Sequence, residues 1–172
     1  MRFLLVDRIL RLEEGKEVVV RKNVSNSEDF FTDHFVNRPI MPGCLILETC
    51  DQAARLLLGK SADFRSLPSL EGITNGKLQH FVQPGDALEI HAVIVRQSDE
   101  AAEVQAVASV DGRTVARATL TYRLEPSAPD PEAARACERM REFHRMLTTD
   151  LLEAARDHQP RAAGSGREVE VA

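Results

Sequence analysis

Apolar and polar positions change their spacing twice along this chain. From Met1 to Asn23 they alternate imperfectly on either side of "EEGKE", which predicts two strands joined at a Gly15 turn. Between Ser25 and Pro42 the chain is rich in Asn, Ser and Asp and carries Pro39 and Pro42, the composition of a loop that delivers the chain to a helix beginning near Gly43. There the spacing lengthens. Leu45, Ile46, Leu47, Cys50, Ala53, Ala54, Leu56, Leu57 and Leu58 cover most of a helical circumference, so the helix is expected to be largely enclosed and to end at Gly59. After a loop around Ser61 to Pro68, alternation returns in "SLEGITNGKLQHFV", "DALEIHAVIV", "AAEVQAVASV" and "TVARATLTYRL". Their connections are short, and Asp111-Gly112 marks a tight hairpin. An antiparallel sheet of about five or six strands with one long helix against it follows, an α+β class.

The last region starts with the Pro/Ala/Ser segment "EPSAPDPEAA". Asp130 can cap a helix there, Pro131 suits its first turn, and Cys137, Met140, Leu147 and Leu151 recur at helical spacing with His144 in the same stripe. "DLLE" at Asp150 to Glu153 resembles a second cap, where this helix is expected to break, and "PRAAGSGREVEVA" is expected to lack order. The division is a body over residues 1–125 and a linker, helix and tail over 126–172. For that helix, packing on its own body or a neighbouring subunit is weighed against binding a separate partner.

With 172 residues, 43% of them hydrophobic and 28% charged, the chain can build one core of its own. A net charge of -5 without a basic stripe argues against nucleic acid as the main partner. The apolar run near the start is broken by Asp7 and Arg8, too short for a signal peptide, and nothing approaches the roughly 18 apolar residues of a membrane helix. A cytoplasmic protein without membrane insertion is expected. Cys44, Cys50 and Cys137 match no metal or disulfide spacing and read as reduced thiols.

What stays polar on the enclosed helix is Glu48, Asp51, Gln52 and Arg55, at offsets of three, four and seven, along one narrow face. The plain reading is a stripe facing water. The preceding loop adds His34, two prolines that restrict the backbone, and Gly43, which lets a group approach the helix start and its unpaired N–H. A base, a proton donor and an oxyanion site then lie close in sequence. That set removes a proton next to a carbonyl and expels a leaving group.

These residues resemble a known family, the 3-hydroxyacyl-[acyl-carrier-protein] dehydratases of FabZ type, with the FabA type as cousin. "HFVNRPIMPGCLILETCDQ" keeps the family's His, Phe, second and third prolines, Met, Gly, Leu, Glu and Gln in register, and "FLLVDRIL", "NSEDFFTDHF" and "GITNGKLQHFVQPGDAL" look like its flanking segments. The likeness runs from about Phe3 to Leu124, leaving the C-terminal region outside. It implies a hot-dog fold, an antiparallel sheet wrapped around the central helix, and a homodimer whose two sheets join, alone or gathered into a trimer of dimers. It also implies sites at the dimer interface along an acyl tunnel, with His34 from one subunit and Glu48 from the other. His34 would take the C2 proton of a 3-hydroxyacyl thioester, the Gly43 N–H would polarise the carbonyl, Glu48 would protonate the departing hydroxyl, and Gln52 would hold Glu48. No metal or organic cofactor is implied. The phosphopantetheine of an acyl carrier protein or coenzyme A would present the substrate, in fatty-acid or polyketide-type synthesis. A local basic patch including Arg38, Arg65 or Lys77 would suit an acidic carrier.

Several positions depart from the family pattern: Asp33 for Gly, Val36 for Pro, Thr49 and Asp51 for small apolar residues, and Lys77-Leu78 for Arg-Phe. They keep two other readings open. One is a thioesterase of the same fold in which Glu48 or Asp51 activates water; the other is a non-catalytic acyl or carrier-binding subunit.

Overall fold

Gly15 adopts φ +72° at the first hairpin, and Asp111 and Gly112 adopt +49° and +76° at the last, both central residues left-handed as the tight turn requires. These turns organise a computed structural model that describes residues 4–34, 38–128 and 130–157, with the side chains of 33 and 149–157 excluded. In chain order the elements are β1 (Arg8–Glu13), β2 (Glu17–Asn23), α1 (Phe30–Asp33), α2 (Gly43–Ser61), β3 (Ser66–Leu78), β4 (Ala87–Gln97), β5 (Ala101–Val110), β6 (Arg113–Pro126) and α3 (Pro131–Asp157). The strands form one six-stranded antiparallel sheet in the order β1-β2-β4-β5-β6-β3. Its curved face receives α2, which touches β2 through β6. This is the expected α+β hot-dog architecture.

The register explains how a helix fits so close to a sheet. Val18 pairs with Ala92, Ala92 with Ala106, and Ala106 with Ala118; the next buried row runs Val20, Ile90, Ala108, Ala116. Short side chains in the middle of both rows leave a trough, and Cys50, Ala53, Ala54 and Leu57, all fully buried, fill it from α2. Burial pushes the Cys50 thiol up to about 12, so it is a core residue without thiolate chemistry. All three cysteines are free.

Four expectations change. The short α1 inside the Ser25–Pro42 loop was not foreseen. α2 continues through Gly59 to Ser61. A Cβ at Gly59 would stand 3.0 Å from Met140 Sδ and 3.1 Å from Phe64 Cδ1, so the glycine is there to admit α3 and the Phe64 ring, not to end the helix. β3 begins at Ser66 and includes Pro68, which an edge strand tolerates because its outward side needs no N–H. α3 is one helix across Asp150, capped as expected by Asp130, whose Oδ1 accepts the Glu132 N–H at 2.9 Å. The side chain of Leu151, the 160–172 tail and Val36 lie outside the described residues.

The face of α2 that carries polar residues does not simply face water. Asp51 is 4% exposed, accepting the Tyr122 hydroxyl at 2.8 Å and the Arg55 Nε–H at 2.7 Å. Burial pushes its carboxyl above the ordinary aspartate range, against the pull of Arg55 and of the Tyr122 hydrogen bond. The Tyr122 hydroxyl is pushed up in turn, by burial and by the neighbouring carboxylate.

Two stability measurements follow. Leu57→Ala, at a position with no exposure, is expected to cost about 2–5 kcal/mol through the cavity it leaves, read as a lower urea midpoint at unchanged slope. Because the folded pKa of Asp51 is raised, its contribution is fully present below the unfolded value of 3.8 and is lost as pH rises through the folded one. Thermal melts should therefore show the wild type losing stability relative to Asp51→Asn as pH rises above the unfolded value of 3.8; a difference that does not change with pH would refute the assignment.

Candidate active site

His34 stands at the end of α1, its N–H bonded to the Phe30 carbonyl at 3.2 Å. The segment ahead of this turn is tied to β2 by Lys22, 5% exposed, whose ammonium pairs with Glu28 and reaches Asp7 at 3.8 Å. Asp7 also accepts the Asn23 N–H at 2.6 Å. On the far side of the loop, the Met41 N–H bonds the Val82 carbonyl at 2.8 Å. Between these two anchors the His34 Nδ1 lies 2.9 Å from the Ile40 carbonyl oxygen. A carbonyl can only accept, so Nδ1 carries the hydrogen and the neutral ring has its basic lone pair on Nε2.

α2 begins immediately after. Pro42 is its N-cap residue, offers no side-chain cap, and is followed by a first turn without acidic residues. The leading N–H groups of a helix have no acceptor within it. Gly43 shares with His34 a cavity of about 440 Å³ whose other walls are Ile40, Met41, Ile46 and the strand-exit segment Leu78, Gln79, His80 and Phe81. A Cβ on Gly43 would fall 2.3 Å from Leu78 Cδ1, so only glycine leaves the wall where it is. At the surface, the Arg38 guanidinium lies 5.1 Å from the centre of the Phe81 ring, and Arg113 is 2.9 Å from His80 Nδ1. Phe81 itself is 63% exposed.

Glu48 is half-buried and occupies the next turn of the helix. Gln52 Nε2 donates to its Oε1 at 2.9 Å, while the Leu5 N–H donates to Gln52 Oε1 at 2.9 Å. The backbone donor thus fixes which end of the amide faces the carboxyl. Within one chain the predicted residues form two groups: His34 and Gly43 around the cavity, and Glu48 with Gln52 outside the set that lines it. Sequence reasoning missed the Ile40 carbonyl and the Leu5 N–H, because backbone groups leave no residue-type signal, and it missed Gln79 to Phe81 as walls. It named Leu78, whose flanking segment was the available clue. Lys77 does not line the cavity, and the side chain of Asp33 lies outside the described residues. Among the described residues no three His, Cys, Asp or Glu side chains are grouped to hold a metal ion, and no helix is long and apolar enough to cross a membrane.

Comparison with known proteins adds three findings. Residues 1–119 match the family model described as FabA-like domain. The chain is 42% identical over 127 residues to the 3-hydroxyacyl-[acyl-carrier-protein] dehydratase FabZ of Aromatoleum aromaticum, across 72% of this chain and 88% of that one, and 41% identical over 127 residues to the FabZ of Nitrosospira multiformis, across 72% and 87%. A solved chain of a dehydratase heterocomplex from Xenorhabdus doucetiae superimposes with a TM-score of 0.61 at 19% identity, over 72% of this chain and 83% of its own, a likeness of fold. The protein therefore belongs to the FabA-like family and, within it, to the FabZ-type 3-hydroxyacyl-[acyl-carrier-protein] dehydratases.

Proposed function

We propose that this protein removes water from 3-hydroxyacyl thioesters of acyl carrier protein, giving trans-2-enoyl thioesters in fatty-acid biosynthesis. The observation that carries the reading is the shared cavity, in which a histidine of defined tautomer and an uncapped helix start occupy one apolar-walled space. His34 Nε2 takes a proton from C2, and the electron pair left there moves toward the thioester carbonyl, whose oxygen is met by the Gly43 N–H. As the C2–C3 double bond forms, Glu48 hands its proton to the C3 hydroxyl, which leaves as water. The Gln52 amide holds that carboxyl in place. The thioester is its own electron sink, so the scheme uses no metal or organic cofactor.

The same reading makes the working unit a homodimer. β3 is an edge strand of 13 residues with Ile73 and Leu78 exposed, the kind of long edge that folded proteins cover. Pairing with the β3 of a second copy covers it and supplies a carboxyl, which none of the described residues lining the cavity of one chain carries. For an acidic carrier, Arg38 on Phe81 and nearby Arg113 offer positive charge beside the entrance. The hydrolase reading is weakened because Asp51 is enclosed between Tyr122 and Arg55, without the access a water-activating base needs.

Incubation with 3-hydroxyacyl carrier-protein thioesters should lower substrate mass by one water without releasing free thiol; intact thioesters at every chain length would sink the proposal, and thiol release would favour the hydrolase. His34→Ala and Glu48→Ala should each lower turnover by roughly 10²–10⁴-fold with the dimer intact by gel filtration. Gly43→Ala must push Leu78 aside, and turnover is expected to fall roughly 10- to 100-fold from misplacement of the reacting groups, measured on protein that still runs as the dimer by gel filtration.

A further inference from the structure

A second cavity, of about 430 Å³, lies between α2 and α3. We propose that it receives the distal part of the substrate's hydrocarbon chain, and that α3, through Phe143 and Met146, limits the length of chain the enzyme accepts. The inference rests on the dehydratase reading for the identity of the substrate.

Three features lead to it. The first is position. Gln52 lines this cavity and donates to Glu48, so one side chain separates the space from the carboxyl that would protonate the leaving hydroxyl. The second is chemistry. Leu4, Leu56, Leu67, Met140, Phe143 and Met146 provide apolar walls, with the unbranched thioethers able to conform to an alkyl chain. The charged lining groups do not ask for a polar ligand: Arg55 is paired with Asp51 at 2.7 Å, while Arg139 and Glu142 are exposed at the margin. The volume falls within the roughly 300–1,000 Å³ of small-molecule sites.

The third feature is how α3 is held. One side of it is anchored: Ala133, Cys137 and Leu147 are buried, His144 meets the Phe64 ring edge-on at 5.5 Å, and Arg141 donates to the Asp63 carbonyl at 3.0 Å. The adjacent side carries Ala136, Met140, Phe143 and Met146 into the cavity. Phe143 is half-buried and packs against the core from the cavity side, whereas Met146 is 68% exposed and contributes little to the anchor. A helix fixed along one side and presenting bulky apolar groups on the next is a rigid wall. It also lies beyond residues 1–119, the part matched by the family model, so this limit would be a property of this chain.

The test compares kcat/KM for 3-hydroxybutyryl, 3-hydroxydecanoyl and 3-hydroxypalmitoyl carrier-protein thioesters in the full-length protein and two variants that keep the buried Ala133, Cys137 and Leu147, with thermal melts to check that α3 stays docked. Phe143→Ala with Met146→Ala should raise the palmitoyl-to-butyryl ratio by about tenfold or more, and Ala136→Phe should lower the decanoyl value by at least about tenfold while sparing butyryl. Calorimetric binding of decanoyl-pantetheine gives a readout independent of turnover, with affinity expected to fall about tenfold in Ala136→Phe. If dehydration proceeds but neither variant shifts the length profile, α3 is not the wall and the dehydratase assignment stands. If no thioester is dehydrated, the assignment fails, and the binding measurement alone decides: a weakened Ala136→Phe supports the chain site, and unchanged affinity overturns it.

Discussion

Helix α2 is pressed into the trough of the sheet along most of its length, and every polar group it carries there must find a partner or be paid for in desolvation. Thr49 donates to the Leu45 carbonyl at 2.7 Å, and two short networks serve Asp51, Gln52 and Glu48. Tyr122 and Arg55 satisfy Asp51, and the Leu5 N–H satisfies the Gln52 amide, which in turn donates to Glu48. Removing one partner from either would leave a buried group unsatisfied. The orientation of Glu48 is thereby set from a backbone donor 47 residues earlier than Gln52, in the segment ahead of β1, which has no part in the proposed chemistry.

The other half of the site is built differently. His34 is the C-cap of α1, and the described residues on either side of it are tied down, Glu28 to Lys22 ahead of it and Met41 to Val82 after it. The His34 ring is oriented by the Ile40 carbonyl, so the basic nitrogen is selected by local geometry. The carboxyl side is stiffened by the core and the imidazole side by these ties. In the proposed dimer these two kinds of support meet across one cavity.

The C-terminal helix packs against α2, β1 and β3. Gly59 gives up a side chain so that Met140 and Phe64 can close over the end of α2. The resulting contact seats α3 against the helix that bears the proposed acid, and the space between them is apolar. Burial lowers the proton affinity of His144 within this contact, with Lys60 acting in the same direction, so the imidazole serves there as a neutral aromatic against Phe64.

Much was legible before any coordinates. The Gly15 and Asp111-Gly112 turns, the strand runs, the enclosed helix and the Asp130 cap are determined by residues close together in the chain, and the His34 to Gln52 segment carries enough spacing to identify the family. What only the tertiary structure decided involves partners far apart in sequence. Asp51 could be read as an exposed charge or a water-activating base until Tyr122, 71 residues away, was seen against it. Gly59 looked like a helix stop until α3 was packed on it, and Pro68 looked like a loop residue until β3 proved to be an edge strand. Local rules fix backbone periodicity because hydrogen bonds within turns and helices span few residues. Which polar group is buried, and with whom, depends on how the sheet folds around the helix.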